Sequence, residues 1–235
     1  MKKIFLSISD QCNLDCSFCY VYPKKNSVLN VDAFLKWYTR FQTGVTIDNI
    51  KIHFHGGEPT LHANDILKII KNTTAKYEIW TNLTYELTSK IKDLLSLCTV
   101  FTSWDPIHLR FKTQENFELW KNNCRQIRPK RIGVLLTREI LAKTPYDLFK
   151  EFKNLDVSTV EFQELRYLGK FSKGYNIKQE IIIEWLQEAY KYFNVHTYED
   201  VTDIEISINS CGEISHGSLS SINIFSSIFS TENFW

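Results

Sequence analysis

No apolar run in this chain reaches the length of a membrane-spanning helix, so the sequence predicts no membrane partner. An excess of charge is lacking too. The 28 Lys and Arg stand against 27 Asp and Glu, a formal net charge of +1. That balance gives no support for strong unaided nucleic-acid binding. The start, Met1-Lys2-Lys3-Ile4-Phe5-Leu6, is basic and then apolar, but Ser7, Ser9 and Asp10 end the apolar part too soon for an export signal. The expectation is a cytoplasmic protein. Internal repeats, low-complexity tracts and flexible linkers are absent from residues 3–193.

What is present describes an ordered globular chain. Of 235 residues, 43% are hydrophobic and 14% aromatic. A chain of this size buries roughly 70% of the surface its unfolded form exposes, enough for a full core. Six cysteines occur: Cys12, Cys16, Cys19, Cys98, Cys124 and Cys211. In a secreted chain an even count suggests disulfides. Here no export signal is expected, and three of the six share one loop. A metal-bound trio in a reducing compartment fits better. The scattered three read as small buried hydrophobes.

Strand and helix patterns alternate six times. Strands are predicted at Lys3–Ser9, Asn49–His55, Tyr77–Thr81, Thr99–Trp104, Arg131–Leu136 and Thr159–Leu165 from alternating apolar residues. Helices are predicted at Val31–Phe41 (capped by Asn30), Ala63–Lys71, Tyr85–Leu97, Asn116–Ile127, Pro145–Asn154 and Ile177–Phe193, the last expected to be the longest. Such alternation implies parallel strands joined by right-handed crossovers. Six units are too few for a closed eight-unit barrel, so the fold class is α/β, a partial (β/α)6 barrel. The tail differs: Asp203–Asn209 reads as a strand, a polar stretch follows at 210–217, and Ile222–Phe229 reads as a second strand. The expected division is a barrel domain at 1–195 and a small β extension at 196–235 that packs on it.

Cys12, Cys16 and Cys19 are spaced C-x-x-x-C-x-x-C within C-N-L-D-C-S-F-C-Y. Thiolates packed this tightly call for a soft metal: zinc, copper(I) or an iron–sulfur cluster. Structural zinc wants four closed ligands, and a fourth such as His53 is the ordinary alternative. A cubane has four irons, so three cysteines leave one iron without a protein ligand. With Phe18 before the third cysteine, the spacing resembles the cluster loop of the radical S-adenosylmethionine (radical SAM) superfamily. Phe54-His55-Gly56-Gly57-Glu58-Pro59-Thr60-Leu61 is similar to its sulfatase-maturating and SPASM-type branch. Thr81-Asn82 stands where that branch has Thr-Asn-Gly, with Leu83 in place of the glycine. Ser103-Trp104-Asp105-Pro106, followed by His108 and Arg110, matches Ser-x-Asp-Gly with a later His and Arg, except that Pro106 replaces the glycine.

The resemblance implies a [4Fe–4S] cluster on Cys12, Cys16 and Cys19, with S-adenosylmethionine chelating the fourth iron. It implies reductive cleavage to methionine and a 5′-deoxyadenosyl radical that takes hydrogen from a peptide or protein side chain or a small metabolite. Cofactor contacts are implied for Phe18, Gly56, Gly57, Glu58, Pro59, Asn82, Ser103 and Asp105, and for Arg110. A reductant such as flavodoxin or ferredoxin is the implied protein partner. Gln163, Glu164 and Arg166 stand at the barrel mouth, where an ion pair is the ordinary alternative; His53 and His55 share a face of the second strand, and Tyr20 flanks the third cysteine. The tail has only Cys211, so the sequence predicts one cluster and no auxiliary-cluster domain. Two other readings stay open: an activator of a glycyl-radical enzyme, and a non-catalytic zinc or iron–sulfur module.

Overall fold

The structure, a computed structural model, describes residues 2–19, 21, 24–42, 50–155, 157, 159–164, 178–196, 205–212 and 214–216. Its strands are β1 Lys2–Ser9, β2 Ile50–Gly56, β3 Lys76–Trp80, β4 Thr99–Trp104, β5 Arg131–Leu136, β6 Thr159–Glu164, β7 Asn194–His196, β8 Glu205–Ile208 and β9 Ile214–His216. Its helices are α1 Val31–Gln42, α2 Ala63–Asn72, α3 Ser89–Ser96, α4 Gln114–Ile127, α5 Arg138–Leu141, α6 Pro145–Lys153 and α7 Gln179–Ala189. The strands form one sheet in the order β7-β6-β5-β4-β3-β2-β1-β8-β9. Every pairing is parallel except the last, β8 with β9.

Period-two alternation decides what each sheet face carries. Ile4, Leu6 and Ile8 of β1, Ile52 and Phe54 of β2, and Ile132 and Val134 of β5 are buried in the core with helix residues Phe34, Tyr38, Ile66, Leu94, Trp120 and Phe152. Trp120 of α4 donates to the Thr102 hydroxyl at 3.2 Å, which fixes the helix side of β4. The other face is different in kind. There Phe5, His53, His55, Trp80 and Phe101 pack ring against ring at centroid distances of 5.2–6.3 Å.

Several boundaries differ from expectation. α3 begins at Ser89 rather than Tyr85, because the Thr88 side chain caps it by accepting from Ile91 N. Residues before it serve the connection instead: Asn123 Nδ2 donates to the carbonyls of Leu83 (2.9 Å) and Tyr85 (2.7 Å). α7 ends at Ala189, and Phe193 turns in against Phe149, Phe152 and Phe162 before β7 starts. The longest helix among the described residues is therefore α4, with 14 residues, not α7. α5 and β7 were not anticipated. They are too short for a periodic signal.

The C-terminal extension is hydrogen-bonded into the sheet. β8 pairs with β1 in the register Lys3↔Glu205 to Leu6↔Ile208. Ser210 then meets Ser27, just beyond the cysteine loop, through their hydroxyls at 2.6 Å. The polar stretch holds β9, whereas the strand expected at Ile222–Phe229 lies outside the described residues.

Candidate functional site

The cysteine loop leaves the carboxyl end of β1, where parallel α/β folds place their ligand sites. Cys16 is buried, Cys12 and Cys19 are half-buried, and all three are free thiols. The loop is anchored from outside itself. Ser17 N donates to Leu109 O at 2.9 Å, Lys24 Nζ to Leu14 O at 2.8 Å, and Lys112 Nζ to Ser17 Oγ at 2.6 Å.

Burial pushes the Cys12 thiol from 9.0 up to about 11, with a bond from Leu14 N pulling the other way. Burial also raises Cys16, against the opposing charge of Arg110. Metal binding must then displace protons from these thiols. A raised folded-state pKa stabilises the metal-free protein below the unfolded value, and that contribution is lost as pH climbs through the folded one. Alkylation of Cys12 in metal-free protein should therefore titrate near pH 11, not near 9, and the metal-free fold should weaken over that window. Mass spectrometry of iodoacetamide-treated protein across pH checks this; a midpoint near 9 contradicts it.

The glycine turn after β2 is pressed against the approach to that loop. Gly57 N donates to Ser9 O and Glu58 N to Gln11 O, both at 2.7 Å. A Cβ on Gly56, whose φ is +128°, would lie 2.3 Å from Ser9 O, and one on Gly57 would lie 2.0 Å from Gln11 O. No side chain fits there, which is why both positions are glycine.

Glu58 turns inward, fully buried. Its carboxylate accepts from Thr60 N (3.1 Å), Thr60 Oγ1 (2.6 Å), Thr81 Oγ1 (2.8 Å) and Asn82 N (2.8 Å). Burial pushes this carboxyl up while those donors pull it down. The side chain thus ties the turn after β2 to the end of β3, and any cofactor contact at Glu58 falls to its backbone. Pro59 opens a 3-10 turn to His62.

Asn82 carries the link onward. Its Oδ1 accepts from Thr84 N at 2.8 Å and Thr84 Oγ1 at 2.5 Å, and its Nδ2 donates to Asn13 Oδ1 at 2.8 Å and Cys12 Sγ at 3.6 Å. Leu83 adopts φ +51° and is fully buried. The turn keeps the left-handed backbone that glycine would favour, at a cost of roughly 1–2 kcal/mol.

At the end of β4, Ser103 Oγ accepts from Trp80 Nε1 at 2.7 Å. Asp105 has no exposed surface; its oxygens accept from Arg110 Nε at 2.6 Å and Leu135 N at 3.0 Å. Both oxygens face protein donors, so Asp105 stands behind Arg110 and holds it. The Arg110 guanidinium lies over the Phe18 ring, 5.0 Å from its centre, beside Cys16. His108 instead pairs at the surface with Glu139 at 3.1 Å.

The inner wall carries two ion pairs. Glu78 bridges Lys51 (2.6 Å) and His53 Nδ1 (3.2 Å), and Arg131 meets Glu161 at 2.6 Å while lying over Phe101. Burial raises the Glu78 carboxyl, but His53 and Lys51 outweigh it and hold it at about 2. Burial pushes His55 down to about 3, with His53 adding to the effect. Gln163 donates to Glu161 at 2.5 Å. Tyr20 and Arg166 lie outside the described residues. No group of three or more His, Cys, Asp or Glu among the described residues is gathered to hold a single metal ion.

Sequence reasoning missed Asn13, Thr84, Glu78, Arg131 and Glu161. The last three were within reach, since each is a charged residue at an inner-face strand position. Thr84 and Asn13 act through partners from other strands and loops, which no local pattern reveals.

No protein-family model matches the chain. Over 105 residues it is 35% identical to an uncharacterized protein of Methanocaldococcus jannaschii, a match covering 40% of this chain and 36% of that protein. By fold the chain is similar to SuiB of Streptococcus suis bound to S-adenosylmethionine: TM-score 0.73, 12% identity, 98% of this chain and 62% of SuiB covered. It is similar to anSMEcpe with bound AdoMet: TM-score 0.68, 16% identity, 91% of this chain and 70% of that one. HydG, a maturase of the [FeFe]-hydrogenase, gives a TM-score of 0.58 at 8% identity, with 83% of this chain and 50% of HydG covered. SuiB has also been solved with the precursor peptide SuiA, and anSMEcpe with AdoMet and a peptide. The chain therefore shares the fold of SuiB, anSMEcpe and HydG, an α/β partial barrel, over a stretch shorter than three quarters of each of those proteins.

Proposed function

We propose that this chain is a radical SAM enzyme with one [4Fe–4S] cluster on Cys12, Cys16 and Cys19. One observation carries the reading: the three free thiols leave β1 on a loop whose approach is zipped to the Gly56–Gly57 turn. The donor set fits the cluster. It offers three soft ligands and an amide aimed at Cys12 sulfur. When bound, the cluster would supply the electron for reductive cleavage of S-adenosylmethionine, the source of radical chemistry toward a substrate C–H bond.

The chain's own residues do the rest. Gly56, Gly57, Glu58 and Pro59 would hold the ammonium of S-adenosylmethionine through their backbone, Gly57 and Glu58 having spent their N–H groups on Ser9 and Gln11. Arg110, held by Asp105, offers its charge to the carboxylate, with Ser103 and Asn82 lining the same strand ends. Phe18 packs beside the nucleoside. The polar inner wall, from Glu78 to Arg131, lines the substrate's side of the barrel. The substrate proposed is a peptide or protein side chain, supported by the peptides bound to SuiB and anSMEcpe. Electrons come from a flavodoxin or ferredoxin. The division proposed is a catalytic unit at 1–195 and a β extension at 196–235 that packs on it, a division supported by the pairing of β8 with β1.

The test is anaerobic reconstitution with iron and sulfide, then S-adenosylmethionine and dithionite. About four irons per chain and formation of 5′-deoxyadenosine are expected. Uptake of zinc alone, without 5′-deoxyadenosine, overturns the reading.

A further inference from the structure

The Asn82 side chain has one orientation that its neighbours allow. Thr84 N is an obligate donor at 2.8 Å, so the atom facing it is the amide oxygen. The nitrogen is thereby turned toward Asn13 Oδ1 at 2.8 Å and Cys12 Sγ at 3.6 Å, the latter an ordinary length for the larger sulfur acceptor. Asn13 is fixed in turn, because its own nitrogen donates to Thr84 O at 2.7 Å. Asn82 N is held by Glu58 at 2.8 Å. The amide is thus clamped at both ends of its side chain and at its backbone, and it is buried.

The three sulfurs are not equivalent. Cys12 Sγ receives two N–H groups, from Asn82 and from Leu14 N at 3.4 Å. Cys16 Sγ lies 3.9 Å from Arg110 O and Cys19 Sγ 3.5 Å from Val21 O, both carbonyl acceptors. A hydrogen bond to a ligating thiolate withdraws charge from it and favours the reduced, more negative state of a cluster.

We infer that Asn82 is a positioning residue that sets the cluster's reduction potential by donating a hydrogen bond to the Cys12 sulfur. The inference rests on the cluster reading above. It gives Thr81-Asn82 a role toward the cluster itself, and it explains why Glu58 and Thr84 fix this one amide.

The test is a mediated redox titration of the reconstituted full chain, followed by electron paramagnetic resonance, for wild type, Asn82→Leu and Asn82→Ala. Both variants keep the backbone bond to Glu58 and remove the donor. The midpoint is expected to move to more negative potential in both, at wild-type iron content. An unchanged midpoint overturns the inference. So does failure of both variants to load iron with wild-type circular dichroism, since the amide would then serve assembly and not potential. If wild type itself takes no cluster, the functional reading fails along with this one, and the two failures are told apart.

Discussion

Replacing Cys16 with alanine is expected to abolish cluster binding and reduce 5′-deoxyadenosine to the protein-free background, while the fold survives. On the proposed reading each cysteine is the one protein ligand of its iron, so none can be spared. The Cys16 thiol donates one long bond, to Arg110 O at 3.9 Å, and losing it costs little. The loop is held by Ser17, Lys24 and Lys112 instead. Loss of one small buried side chain should cost about 1 kcal/mol. Iron and sulfide analysis, 5′-deoxyadenosine assay and urea unfolding of Cys16→Ala check this together. Global unfolding with loss of zinc would point to a structural metal module. Retained iron and activity would remove Cys16 from the site altogether.

Glu58→Ala is expected to be the most destabilising substitution at the site, by about 3–5 kcal/mol. It strips an acceptor from two backbone N–H groups, Thr60 and Asn82, and from two hydroxyls, with no solvent nearby to replace it. The deletion also leaves a cavity. Glu58→Gln keeps the volume but turns an NH2 group toward a donor, and should cost about 1–3 kcal/mol. Denaturant unfolding of both variants decides the matter. A cost below about 1 kcal/mol for the alanine variant would mean that water or a neighbour satisfies these donors.

Much of the scaffold was legible because its signals are local. β1 alternates Ile4, Leu6 and Ile8 with residues of the other face, and α2 repeats Ile66, Ile69 and Ile70 at helical spacing. The start of α3 was misjudged because Tyr85 and Leu87 continue an apolar rhythm that Thr88 interrupts with a cap. Asp105 was legible as a candidate site residue, but as one that faces a ligand, whereas both its oxygens are taken by protein donors, Arg110 and Leu135. For Glu58 the motif pointed only to its backbone, and the closing of its carboxylate by Thr81 and Asn82 from another strand end left no local trace.

The amino-acid order alone settled the βα alternation, the parallel sheet and the placing of three cysteines in one loop after β1, since each follows from spacing along a few consecutive residues. Only the folded chain decided which groups meet across it: β8 alongside β1, Arg110 over Phe18, and the path from Glu58 through Asn82 to Cys12. Those contacts join residues tens of positions apart. A buried donor or acceptor takes whatever partner the crossing of strands brings within about 3 Å, and that partner leaves no periodic trace in the order of the residues.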